Sequence, residues 1–306
     1  MNEFIKFGSF DNQVTKSHKI LLVREKRKSI FVDKLINSLR NKKVNIEEYY
    51  IVNQDDLKKL LFVLNQKPTG TQLYIVTSDF LNLHLLIKRC EELRIPTILF
   101  DDPTLNIPKK YINDIVNIHL KAINIEYSEL RNRNEKVKNL IDNGDSFQIK
   151  SPNGTNMKFQ KEKGKRIFVE NCKFSENESL FQIPGGEVFF APKPFTAEGI
   201  IIQECGSKKA EITINNGFAS FNYGKYKNKK VPFAEFGIGT NQGVRKLKFL
   251  SSYEKCLGTC HIGFGNNINM DGIFEEPYHF DIVIDNFQLS IDGEAIFSCW
   301  GDLHKK

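Results

Sequence analysis

From residue 19 to about residue 125 the chain alternates two hydrophobic textures. Short apolar runs at Lys19-Ile-Leu-Leu-Val23, Tyr49 to Val52, Leu73 to Thr77 and Pro96 to Phe100 read as buried strands. Between them, apolar residues recur at helical spacing. Ile30, Phe31, Leu35, Ile36 and Leu39 mark one helix, and Leu60, Leu61 and Leu64 behind Asp55-Asp56 mark a second. A third runs to about Leu93, with Ser78 as its candidate N-cap. Strands alternating with helices of this length predict an α/β N-terminal domain with a parallel sheet covered by helices on both faces.

The texture then changes. Ser128 to Asn143 is a long polar helix with Leu130, Val137, Leu140 and Ile141 on one side, and it reads as the join between two domains. After Gly144, Asp145 to Lys150 and Met157 to Gln160 alternate with period two around the turn Ser151-Pro-Asn-Gly154, which predicts a hairpin. Short strands and Gly- or Asn-rich turns continue from there. The expected division is an α/β domain over 1–125 and a mainly β (α+β) domain over 126–306.

Composition narrows the function only slightly. Hydrophobic residues at 40% and charged residues at 26% are ordinary for a globular protein. The formal charge of +7 comes from scattered clusters such as Lys225 to Lys230, with no recognisable nucleic-acid module, so no nucleic-acid partner is expected. Nothing in the first residues reads as a signal peptide, and no apolar segment has membrane length. Six dispersed cysteines fit reduced, buried thiols better than a disulfide framework. The expectation is a cytoplasmic protein without a membrane partner. Cys256 and Cys260 beside His261 have no second cysteine pair at zinc-site spacing.

The candidate chemistry lies in the second half. His261 sits in Leu-Gly-Thr-Cys-His-Ile-Gly-Phe-Gly, where the glycines suggest a tight turn, and His279 and Asp281 form a His-Phe-Asp triplet. On a strand, residues two apart share a face, so His279 and Asp281 can address one ion while Phe280 packs behind them. Two imidazoles and a carboxylate suit a divalent metal that keeps coordination positions open. Glu187, after Pro184-Gly-Gly186, and Glu235, in Ala-Glu-Phe-Gly-Ile-Gly, are further candidate ligands, because a metal offsets the cost of burying a carboxylate. His84 and His119 lie in apolar helical patterns and are expected to be packing residues.

The order of these motifs resembles the aminopeptidase T family of metallo-aminopeptidases. The matching stretches are Glu129-Leu-Arg131, Ser151 to Thr155, Ile183 to Pro192, Ala234 to Asn241, Glu254 to Asn267 and His279-Phe-Asp281. The resemblance implies a homodimer whose C-terminal domain binds two divalent ions (zinc, cobalt, manganese or magnesium) through Glu187, Glu235, His261, His279 and Asp281. It further implies hydrolysis of a small peptide or amide by a metal-activated water, with Glu187 or Glu235 as ligand or proton carrier. The tyrosine that the family carries about seven residues after its first histidine is Ile268 here. The dihydroxypyridine ring-cleaving dioxygenases are similar to this family. They imply an alternative in which His261, His279 and Asp281 hold a single iron and both glutamates stay outside its coordination. A binding or biosynthetic-accessory protein on the same fold is the third expectation.

Overall fold

A computed structural model describes residues 5, 19–26, 28–66, 70–77, 84–104, 107–174, 179–205, 208–247 and 251–297. The cap expected at Ser78 lies outside the described residues. The first elements are β1 (Lys19–Glu25), α1 (Ile30–Asn41), β2 (Ile46–Ile51), α2 (Gln54–Asn65), β3 (Thr71–Thr77), α3 (His84–Glu92), β4 (Thr97–Asp101), α4 (Ile112–Ile123) and α5 (Tyr127–Asp142). Local chemistry sets their starts. The Ser29 hydroxyl accepts from the Val32 N–H and opens α1. The Asn53 side chain accepts from the N–H groups of Asp55 and Asp56 and opens α2, leaving both aspartates in the first turn, where the helix dipole favours negative charge.

The later strands in chain order are β5 (Ser146–Lys150), β6 (Asn156–Gln160), β7 (Phe168–Val169), β8 (Leu180–Ile183), β9 (Glu187–Phe190), β10 (Glu198–Cys205), β11 (Lys208–Asn215), β12 (Phe218–Phe221), β13 (Lys230–Gly239), β14 (Thr259–Gly265), β15 (His279–Asp285), β16 (Gln288–Ile291) and β17 (Glu294–Phe297). The parallel sheet has the order β2-β1-β3-β4-β8. Its last strand comes from residues 180–183, far along the chain from the other four. The remaining strands build an antiparallel sheet, β15-β14-β13-β12-β11-β10-β6-β5-β16-β17, with β9 joined to β13 and β7 joined to β9. An α/β part with a parallel sheet and a mainly β part is the fold class that the hydrophobic pattern predicts.

The chain divides into two compact units that interleave in sequence. One comprises 1–131, 170–185 and 242–253, and the other 132–169, 186–241 and 254–306. In the first, every position of β3 and β4 is buried, as expected of central parallel strands covered on both faces. In the second, one face of the antiparallel sheet carries a phenylalanine-rich core around Phe147, Phe159, Phe190, Phe236 and Phe264. The opposite face of the same strands holds the candidate site. Among the described residues, no helix is long and apolar enough to cross a membrane.

Candidate metal centre

Strand register brings the five candidate residues together. Glu235 on β13 pairs with Gly263 on β14, which pairs with Asp281 on β15. In the next row of the same face, Gly237 pairs with His261 and His261 with Val283. His279 lies opposite Gly265. Across the other edge of β13, β9 sets Glu187 against Gly239 and Phe189 against Gly237. Side chains alternate between faces along a strand, so all five candidates share one face while Phe190, Phe236, Ile262, Phe264 and Ile282 fill the core behind them. A β-bulge between Phe233 and Glu235 resets the register at the row that carries Glu235.

Glycine makes the room. A Cβ at residue 263 would lie 2.7 Å from Glu235 Cβ, 2.8 Å from Asp281 Oδ1 and 3.0 Å from His279 Nε2, so three ligand-type side chains converge over a position with no side chain of its own. A Cβ at residue 237 would overlap the His261 ring. His261 therefore sits in the middle of a strand and lies over Gly237. This corrects the expectation of a Gly-flanked turn: the neighbouring Gly263 is required for space.

The donor atoms form two clusters that share Glu235, one with Glu187 and His261 and one with His279 and Asp281; within each, a ligand atom of every residue lies within 4.8 Å of the others. His261 Nε2 is 3.1 Å from Glu235 Oε1 and 3.5 Å from Glu187 Oε2. His279 Nε2 is 3.2 Å from Glu235 Oε2 and 3.4 Å from Asp281 Oδ1. The other ring nitrogen of His279, Nδ1, donates to the Asn266 carbonyl at 2.7 Å. That bond fixes the tautomer and leaves the Nε2 lone pair facing carboxylate oxygens, as outer hydrogen bonds orient histidine ligands. Asp281 Oδ1 is buried against this imidazole.

Lone pairs facing carboxylates need a positive charge between them, either extra protons or a metal ion. The proton balance expresses that demand. Burial alone would lower both imidazoles. For His261 the Glu235 hydrogen bond and the charges of Glu187, Glu235 and Asp281 outweigh burial and push it up to about 10. For His279 the bonds and charges of Asp281 and Glu235 push it up to about 11. Glu235, although buried, is drawn well below the usual carboxylate range by its bonds to both imidazoles. This donor set of imidazoles and carboxylates fits a divalent cation.

Two residues that the sequence reading left out complete the face. Lys255 is 2% exposed, and its ammonium lies 3.5 Å from Glu187 Oε1. Gly239 explains its position: a Cβ there would run into the backbone of Glu254, Lys255 and Cys256, so the bare strand lets that segment lie against β13 beside Glu187. The Asn241 N–H donates to the Lys255 carbonyl at 2.9 Å and anchors the segment. Half-buried Glu254 holds its proton to higher pH than usual, through burial and the charge of Asp281. Both residues stand in Glu254 to Asn267, but a short 3-10 turn has no periodicity to draw attention to them. Cys260 points into the core on the opposite face from His261, consistent with a packed thiol. His119, as expected, is a buried packing residue, edge-on to Phe31.

No known protein family matches the chain in sequence, and no curated protein does. The fold is similar to the solved structure of 2,5-dihydroxypyridine dioxygenase from Pseudomonas putida KT2440, with a TM-score of 0.69 at 13% sequence identity, over 95% of this chain and 93% of that one. This corrects the expectation of a metal-dependent hydrolase, aminopeptidase or metalloprotease cleaving a small peptide or amide. The similar structure belongs to a dioxygenase, and the aminopeptidase T resemblance has no support from any family match. The physical reason is that a set of imidazoles and carboxylates serves several metal chemistries, so it does not specify hydrolysis. The position where the resemblance placed an oxyanion-stabilising tyrosine is Ile268, a 46% exposed side chain with no donor to offer.

Proposed function

We propose that this chain is an oxygen-dependent metalloenzyme that binds ferrous iron through His261, His279 and Asp281 and acts on a hydroxylated aromatic or heteroaromatic ring. Bound there, iron would supply oxygen activation, because two imidazoles and one carboxylate leave coordination positions open. The reading is carried by three donors on one sheet face, with His261 Nε2 and His279 Nε2 both against Glu235 and Asp281 against His279, in a fold similar to that of a dioxygenase. The chain's other residues take supporting roles. The Asn266 carbonyl holds the His279 ring in its ligating tautomer. Lys255 neutralises Glu187, so the contacting carboxylates Glu187, Glu235 and Asp281 keep two net negative charges, the number one divalent ion offsets. Glu235, between the two imidazoles, is placed to take the proton of an incoming ring hydroxyl.

The test is reconstitution of the metal-free protein with ferrous iron under anaerobic conditions, followed by elemental analysis and an oxygen electrode. One iron per chain and oxygen uptake that depends on a dihydroxylated pyridine or benzene ring are expected. Iron that fails to bind, or oxygen uptake unaffected by every such ring, would refute the proposal.

A further inference from the structure

The ligand-bearing face carries an apolar feature that metal binding does not use. Phe189 stands on that face two residues from Glu187, in the row that runs through Gly237 to His261. Phe168 on β7 pairs with Phe189, and the two rings stack with centroids 5.2 Å apart and planes 15° from parallel. The Arg166 guanidinium lies 4.4 Å from the centre of the Phe168 ring. The result is a three-layer stack of guanidinium, ring and ring that ends at the half-buried Phe189 beside the donor cluster. On the far side of His261 in the same row, half-buried Val283 is the opposing apolar side chain. Rings on a sheet face whose neighbours are glycine, histidine and carboxylate gain nothing from a core, because the core is on the other face. Held parallel by Phe168 and Arg166, Phe189 presents an aromatic surface of fixed orientation next to the cation site.

We propose that Phe189 is the specificity-determining wall of this site, selecting a planar ring over a saturated one, and that Phe168 and Arg166 are positioning residues that hold its ring in place. The inference rests on the proposed function for the location of the substrate but not for its chemistry. An aromatic pair in favourable offset geometry adds roughly two- to tenfold in affinity beyond the area it buries, and a saturated ring of the same size and polarity does not collect that increment.

The experiment compares 2-pyridone with 2-piperidone, which share a lactam group and differ in planarity. Binding of each is measured by calorimetry on full-length protein loaded with zinc in the absence of oxygen, so neither turnover nor iron is needed. The wild type is expected to bind 2-pyridone several-fold more tightly. Phe189→Leu should erase the preference, with 2-piperidone affinity nearly unchanged. Phe168→Leu and Arg166→Gln should each reduce the preference while the zinc content stays at the wild-type level, a pattern that general unfolding would not give. Equal binding of the two lactams by the wild type, or an intact preference in Phe189→Leu, overturns the inference. Loss of iron-dependent oxygen uptake with the lactam preference intact would instead refute the proposed function and leave the ring-selecting wall standing.

Discussion

The two sheets of this chain treat their faces in opposite ways. In the parallel sheet, β3 and β4 are buried at every position, and apolar side chains such as Leu22, Tyr74 and Phe100 on one face and Leu73, Ile75 and Leu99 on the other join separate cores. In the antiparallel sheet, β14 is buried at every position and β13 at every position after Lys230, yet only one face is apolar. The other alternates glycine with histidine and glutamate, and its burial is achieved by charges that satisfy one another. Equal burial therefore conceals different physics. The first sheet is held by dispersion and the removal of apolar surface from water. The second keeps a charged layer that is stable only while positive charge sits between its carboxylates.

That contrast can be broken from either side. The largest effect is expected in the parallel sheet. Leu22→Ala removes a fully buried side chain and should lower stability by about 2–5 kcal/mol in denaturant melts, with metal content per folded chain unchanged. A substitution on the charged face should do the reverse. Gly263→Ala places a methyl group against Glu235, Asp281 and His279, and is expected to weaken metal binding by about 10- to 100-fold in competition with a chelator, at a small cost in melting temperature. If Gly263→Ala unfolded the protein and left metal affinity intact in the folded fraction, the division of labour between the sheets would be wrong.

pH acts on the charged face. In the metal-free protein, both imidazoles hold protons more tightly than the unfolded value of about 6.5. Their contribution to stability is therefore complete below that pH and is lost as pH rises toward about 10 for His261 and about 11 for His279. The melting temperature of metal-free protein should fall steadily from pH 7 to pH 10, whereas metal-loaded protein, whose imidazoles ligate without that extra proton, should show much less of the decline. The smallest effect belongs to the helix cap of the first unit. Ser29→Ala removes the acceptor for the Val32 N–H and should cost about 1 kcal/mol in melts at any metal concentration.

Elements whose physics is local were legible in the sequence. The runs at 19–23, 73–77 and 96–100 became β1, β3 and β4 because a doubly covered parallel strand is apolar throughout. Strand β2 begins at Ile46, earlier than the expected Tyr49, because Glu47 and Glu48 on an edge strand hide its start. The fifth parallel strand, β8, gave no signal of its sheet, since Leu180–Ile183 is too short to announce a distant partner at Thr97–Asp101. At the site, the period-two logic that put His279 and Asp281 on one face with Phe280 behind them matches the structure. The role of the glycines did not emerge, because clearance over Gly237, Gly239 and Gly263 is a property of neighbouring strands, invisible in a linear pattern. Lys255 was missed for the same reason: its partner Glu187 is brought to it by register across β9 and β13.

Iron and oxygen stoichiometry in wild type and His279→Ala, measured side by side, tests the proposed iron site. One ferrous iron per wild-type chain and oxygen uptake that requires a dihydroxylated ring are expected, with both lost in His279→Ala although the variant retains its far-ultraviolet circular dichroism. Wild-type protein that retains no iron, or His279→Ala that keeps both its iron and its oxygen uptake, would contradict it.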